Sequence, residues 1–309
     1  MQWSQIKTLF IIAFLILNFY LLIQLLEQKE ETDLTFMERE ESSIEEQLAA
    51  DDISLPDLPD APDEEPYISV KQQSFDKDDL KAIKQLDDQK PVLLTEHLIF
   101  STFEDPFEIK EDMPSDDIEE RILNKVNHSS DYSYWNWNKD LNIIIFFQKQ
   151  NERRIYYNQN GMLLAYLNDD NEVTHYTQSM LQEGEAMEDK ESLIEPLRAV
   201  ETIYNMQELN PGDSVSNVEI GFHTRVPLEN GVQVFVPTWR VTVNDDVDYL
   251  VNAIEGFSFS GDENVFLKQS LESNEDLINQ SEDLKDDDKE KYKKFFKRKL
   301  EQMNRSGNE

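Results

Sequence analysis

The side chains best suited to acid–base or metal chemistry near neutral pH are four histidines, at positions 97, 128, 175 and 223. They are far apart in the chain, and no His-Glu-x-x-His pair is present to grip zinc. There is no cysteine, hence no thiolate nucleophile, disulfide framework or Cys-based metal site. A Gly-x-Ser-x-Gly elbow, which would expose a nucleophilic serine on a strained turn, is missing too. Only eight glycines occur, and none forms a loop able to cradle a phosphate. Carboxylates are so abundant that their pairing carries no information. The run NDDVD at 244–248 could hold calcium, but its spacing is not that of an EF-hand, and a solvated hairpin turn accounts for it more simply. The residues call for no catalytic group, metal or cofactor.

Two further clusters could bind rather than react. The aromatic run YSYWNW at 132–137 could offer faces on which sugar rings stack, although cross-strand packing in a hairpin is the simpler reading. Near the C-terminus, seven cations at 289–299 surround Tyr292, Phe295 and Phe296. Here Lys293, Lys294, Phe295, Phe296, Lys297 and Arg298 could lie on anionic lipid, where each cation contributes about 1 kcal/mol. An unstructured, solvated end is the other reading, and both stay open.

Charge narrows the partners. The chain has 65 acidic and 29 basic residues. Residues 67–261 alone carry 36 acidic and 16 basic side chains, so the folded part is acidic as well. Nucleic-acid binding needs a basic footprint that releases counterions, and this domain has none. The excess of acid serves solubility.

The elements that would position these clusters begin with a span. Residues 8–26 are 19 uncharged, mostly apolar residues, which as a helix reach across roughly 30 Å of hydrocarbon. A cleaved signal would have an apolar core of about 7–15 residues and then a small-x-small site, whereas Leu25, Leu26 and Glu27 follow here. The run reads as a single uncleaved transmembrane helix. Flanking cations (Lys7 against Lys29 and Arg39) do not decide its orientation. A short leading flank and a long following domain favour a cytoplasmic N-terminus, residues 1–7, and an extracytoplasmic remainder. Asn18 lies mid-span, where an amide facing lipid is costly. With Phe14, Leu21 and Leu22 at helical spacing, it is the candidate helix–helix interface inside the membrane.

Residues 27–66 hold 16 acidic and two basic residues, with four prolines at the far end. Such a segment reads as an extended stalk. Globular patterning covers 67–261, divided into a first lobe, 67–182, and a second, 183–261. Ser74 and Ser115 read as helix N-caps. A strand is expected at 92–103, then strands near 132–137, 141–148, 153–157, 162–168 and 173–180. In the second lobe Pro196 opens a helix whose buried stripe is Leu197, Val200 and Tyr204. Long strands follow near 215–226, 232–244 and 249–260. The apolar parity of the middle strand slips at Pro237-Thr238, which predicts a bulge. The fold class is therefore α+β, antiparallel sheets with helices packed on one side. Residues 262–309, acidic and then basic, read as a disordered tail.

The N-terminal string WSQIKTLFIIAFLILN at 3–18 resembles that of the YycI (WalI) family. These are accessory regulators of the WalK/WalR (YycG/YycF) two-component system of Gram-positive bacteria. One anchor followed by a two-part extracytoplasmic α+β domain fits the family over roughly 1–30 and 67–261; the stalk and tail are longer than the family leads one to expect. The closing strands, FVPTWRVTV at 235–243 and YLVNAIEG at 249–256, resemble PepSY-like domains. The resemblance implies a non-enzymatic protein of the cell membrane. Its partners would be a WalK-type sensor histidine kinase and the single-pass protein YycH, and its role would be adjustment of cell-wall metabolism. A membrane-tethered module that grips cell-wall glycan or peptide is the alternative; an enzyme has the least support.

Overall fold

The apolar runs IIIFF (143–147) and MLLAYL (162–167) lie on neighbouring strands, and every residue of both is buried. Successive side chains on a strand point to opposite faces, so runs without a polar break need cover on both sides. The computed structural model supplies it. It describes residues 14, 15, 17, 18, 43–86, 88–227, 231–259, 261–281 and 284–306. Its helices are α1 (Ile44–Ala50), α2 (Lys77–Leu86), α3 (Ser115–Leu123), α4 (Pro196–Asn205), α5 (Glu263–Gln280) and α6 (Asp286–Ser306). Its strands are β1 (Glu64–Lys71), β2 (Gln89–Thr95), β3 (Leu98–Glu108), β4 (Tyr132–Asn138), β5 (Ile143–Gln150), β6 (Arg153–Tyr156), β7 (Met162–Leu167), β8 (Glu172–Gln178), β9 (Glu185–Ser192), β10 (Val215–Pro227), β11 (Val232–Val243), β12 (Val247–Asn252) and β13 (Ser258–Phe259).

The chain divides into two units, Met1–Leu55 with Leu209–Ser214, and Pro56–Glu208 with Val215–Glu309. In the first, α1 starts on a capping box: Ser43 Oγ accepts from the Glu46 N–H, and the Glu46 carboxylate accepts from the Ser43 N–H. Ser54 bridges in parallel to Ser214, and the Gly212 N–H donates to the Asp51 carbonyl at 2.9 Å. The stretch expected to be a plain stalk thus contains a capped helix, and β1 begins at its end. Acidic composition hid both.

The second unit is built on one mixed α+β sheet of 13 strands among the described residues, in the order β13-β12-β11-β10-β6-β5-β7-β8-β3-β2. β4 pairs with β5, and β1 pairs with both β11 and β9. All pairings are antiparallel except β6 with β10. One face of β5, β7 and β3 packs on α3 and the other on α5 and α6. Helices on both faces, rather than one, follow from the unbroken apolar runs.

Four local expectations change. The strand expected at 92–103 is the hairpin β2–β3, turning at Glu96-His97, where His97 Nδ1 hydrogen-bonds the Gln73 carbonyl at 2.8 Å. Asp76 rather than Ser74 caps α2, accepting from the Asp78 and Asp79 N–H groups, and α3 has Pro114 at its N-cap. The buried stripe of α4 is Ala199, Val200 and Ile203. There is no bulge at Pro237: β10–β11 register is continuous from Asn217↔Thr242 to Thr224↔Phe235. The parity slip marks where β11 exchanges its other neighbour, β1 up to Phe235 and β12 from Thr238. Pro237, which has no N–H, sits in that gap, and its carbonyl accepts from Ala253 at 2.9 Å.

Candidate functional site

A half-open cleft of about 790 Å³ is lined by β4, β11, the 244–249 turn and the start of α5. The aromatic run of β4 reaches it through Trp135, but that ring is already engaged. The Arg240 guanidinium lies 4.2 Å from its centroid, and Phe147 and Tyr157 pack at 4.9 and 5.6 Å. Its Nε1–H donates to Glu263 at 3.2 Å. The same carboxylate accepts from Asn136 and Asn138 at 3.0 and 3.1 Å, fastening the N-terminal end of α5 to β4. Tyr132 is buried and donates to the Ser179 carbonyl, and Trp137 is buried in the opposite core. Packing is what the run does.

Beneath Trp135 the charges are matched. Arg240 bonds Asp248 at 2.8 Å and Glu219 at 2.9 Å, and Arg154 reaches Glu219 at 3.2 Å. Tyr156 donates to Glu219 and Thr242 to Asp248. Burial pushes the Glu219 carboxyl up, but Arg154 and Arg240 outweigh it and hold the group below the usual carboxylate range. Burial opposes the charge of Arg240 too, and Asp248 and Glu219 reverse that effect and raise its pKa. With Asp248 taken by Arg240 and Thr242, the 244–248 run is a hairpin turn, Asn244 and Asp245 both having positive φ. Every charge of this network answers another, which suits scaffolding rather than catalysis.

The histidines are likewise occupied. His175 is half-buried against Phe295 and Phe100, and that desolvation, then Lys291 and Lys299, lower its pKa to about 4. Burial also lowers that of His223, which bonds the Tyr156 carbonyl. Among the described residues no three His, Cys, Asp or Glu are grouped to hold a metal ion.

The basic run overturns the expected disorder. Acidic 262–280 forms α5, capped by Asp262, whose side chain accepts from the Val265 N–H at 3.0 Å. The basic run lies in α6. Phe266, Leu267, Leu271 and Ile278 of α5 and Tyr292 and Phe296 of α6 complete the core on β5 and β7. Of the six residues expected to meet lipid, Phe296 is fully buried and Phe295 half-buried, so neither ring is available to a bilayer in this arrangement. Lys294, Lys297 and Arg298 are exposed, and Lys293 is partly so. Lys299 turns inward and donates to the Leu141 and Leu167 carbonyls at 2.7 and 3.4 Å. The signal was legible: 266, 267, 271, 278 and 292, 296, 299 are helical spacings.

At the other end, Phe14 and Asn18 are helical and exposed, and Asn18 Nδ2 donates to the Phe14 carbonyl at 2.8 Å. Leu21, Leu22 and most of the 8–26 run lie outside the described residues. Among those described, no helix is long and apolar enough to cross a membrane.

The family model described as YycI protein matches residues 33–254, well over half of the chain. The match stops before α5. No curated protein sequence matches. Among solved structures, the Bacillus megaterium YpeB C-terminal domain is similar over 61% of this chain and 97% of that one, at 12% identity and a TM-score of 0.35.

Proposed function

Because the chain belongs to the YycI family, we propose that it is a membrane-anchored, non-enzymatic regulator of a WalK-type sensor histidine kinase controlling cell-wall metabolism. The family match over 33–254 carries this reading. The apolar run 8–26 is the anchor, with residues 1–7 cytoplasmic and the folded domain extracytoplasmic. Contacts inside the membrane and outside it, with the kinase and with a YycH-like single-pass protein, favour one arrangement of the kinase helices. The kinase population then shifts by the difference in affinity for its states. A wall-binding module fits less well, because Arg240 covers the face of Trp135 that a sugar would need.

Detergent co-purification of the full chain tests the proposal: a histidine kinase and a second single-pass protein should accompany it, and recovery of neither would overturn it. Within the span, the interface would be Phe14, Asn18, Leu21 and Leu22. The Asn18 amide is partly satisfied by the Phe14 carbonyl, and interhelical polar contacts average about 0.6 kcal/mol. Asn18→Leu should therefore lower kinase recovery only two- to threefold, at unchanged membrane insertion. Undiminished recovery would leave the helix as an anchor alone. Reporters fused to the C-terminus decide topology: an export-dependent enzyme should be active there.

A further inference from the structure

We infer that the outward face of α6 is a second membrane-contact site, one that takes the phosphate headgroups of anionic phospholipids. The orientation of α6 is fixed by its buried stripe, Tyr292, Phe296 and Lys299, which faces the sheet. Lys294, Lys297 and Arg298 project the other way, with Lys293 at the flank. Some cations elsewhere are held by carboxylates of the chain: Lys81 pairs with Asp78, Lys90 with Glu104, Arg153 with Glu65, and Arg240 with Asp248. No carboxylate among the described residues lies within salt-bridge distance of Lys293, Lys294, Lys297 or Arg298. In a chain of net charge −36, these four neighbouring cations, gathered on one side of a single docked helix, concentrate positive charge where an external anion can meet it.

The chemistry of the occupant follows. The face is cationic and polar, and the two phenylalanines that would have inserted into hydrocarbon are turned to the core. Binding is therefore electrostatic, to phosphate at the surface, where arginine engages two oxygens at once and lysine acts as a point charge. The helix is already docked, so little ordering is needed on contact. The inference rests on the anchor reading of 8–26, which ties the chain to a bilayer; the cationic face itself lies beyond the family match and does not depend on the kinase reading.

The test uses the full chain reconstituted in vesicles. The protein has no cysteine, so Asn304→Cys on exposed α6 takes a single dye, and energy transfer to a headgroup-labelled lipid reports contact. Transfer should rise when phosphatidylglycerol is mixed into phosphatidylcholine and fall back at high salt. Each cation removed weakens contact about fivefold, so Lys293→Gln/Lys294→Gln/Lys297→Gln/Arg298→Gln should abolish the rise. Should that variant lose its near-ultraviolet dichroism, Lys294→Gln/Lys297→Gln, which alters only exposed side chains, should still weaken contact about twenty-fivefold. Equal transfer in pure phosphatidylcholine, or a rise that survives neutralisation, overturns the inference. Loss of the vesicle signal to soluble poly(glycerol phosphate) at equal phosphate also overturns it, assigning the face to a wall polyanion.

Discussion

On β5 and β7, Ile144, Phe146, Leu163, Ala165 and Leu167 face α3, whereas Ile143, Ile145, Phe147, Met162, Leu164 and Tyr166 face α5 and α6. The two covers differ in origin. α3 is short, lies within the family-matched region and brings Ile118, Ile122 and Leu123. The α5–α6 pair arrives more than a hundred residues after β5, lies outside the matched region, and in α6 carries most of its residues as charge. Yet its buried set is larger, Phe266, Leu267, Leu271, Ile278, Tyr292 and Phe296. A helix needs only a narrow apolar stripe to close a core, and composition averaged over its whole surface conceals that stripe.

The comparison breaks most decisively by truncation. Ending the chain at Asp262 would bare the face of β3, β5 and β7 that α5 and α6 cover. Six buried side chains at about 1.5–3 kcal/mol each match or exceed a typical domain stability of about 5–15 kcal/mol. The truncated protein should bind a hydrophobic dye and lose its near-ultraviolet dichroism; a cooperative, native-like melt would show that α3 alone suffices.

Single truncations on the two covers weigh them against each other. Ile122 and Leu271 are both fully buried, and each change to alanine should cost about 2–5 kcal/mol by denaturant titration. Equal costs would place the tail helices on a par with the family core. A Leu271→Ala cost under about 0.5 kcal/mol, the usual range for surface substitutions, would mean α5 is a loose lid. A smaller effect is expected at Glu263, whose carboxylate fastens α5 to Trp135, Asn136 and Asn138. Glu263→Ala should cost about 1–2 kcal/mol, the range of charge-assisted bonds at a partly exposed site. A red shift of the Trp135 fluorescence should accompany it.

Much of this was legible. Pro196 opens α4 as its fixed φ suggests, and the strands expected near 162–168 and 173–180 are β7 and β8. Val200 is buried on α4, as the expected stripe has it. The charge network beneath Trp135 was not legible, because Arg240 meets Glu219 only through β10–β11 pairing and Arg154 only through β6. No local pattern encodes such meetings. The tail was different: its spacing was in plain view, and the fully apolar β5 and β7 already demanded a second cover. Where a sheet face lacks a partner, helical periodicity is a better guide than net charge.

The two faces should also differ in their response to pH. Lys299, on the α6 side, is the one charged side chain among the buried residues described. Burial lowers its pKa from 10.5 to about 8, the carbonyls of Leu141 and Leu167 notwithstanding. Below pH 8 the ammonium is charged in both folded and unfolded states, and the full cost of burying it is present. Between pH 8 and 10.5 the unfolded chain binds the proton and the folded one releases it, so stability rises with pH, by at most about 1.4 kcal/mol per pH unit. Tyrosine ionisation sets the upper limit of the measurement. Burial holds Tyr166 above its ordinary value of 10.0, so unfolding becomes favoured as exposed phenols ionise near that pH. Denaturant midpoints between pH 8 and 9.5 should therefore climb in the full-length protein and stay level in Lys299→Met, which keeps an unbranched stem under β5 and removes the charge. A variant that climbs as steeply as the parent would show that the gain comes from elsewhere, and that the α6 face meets alkali no differently from the face beneath α3.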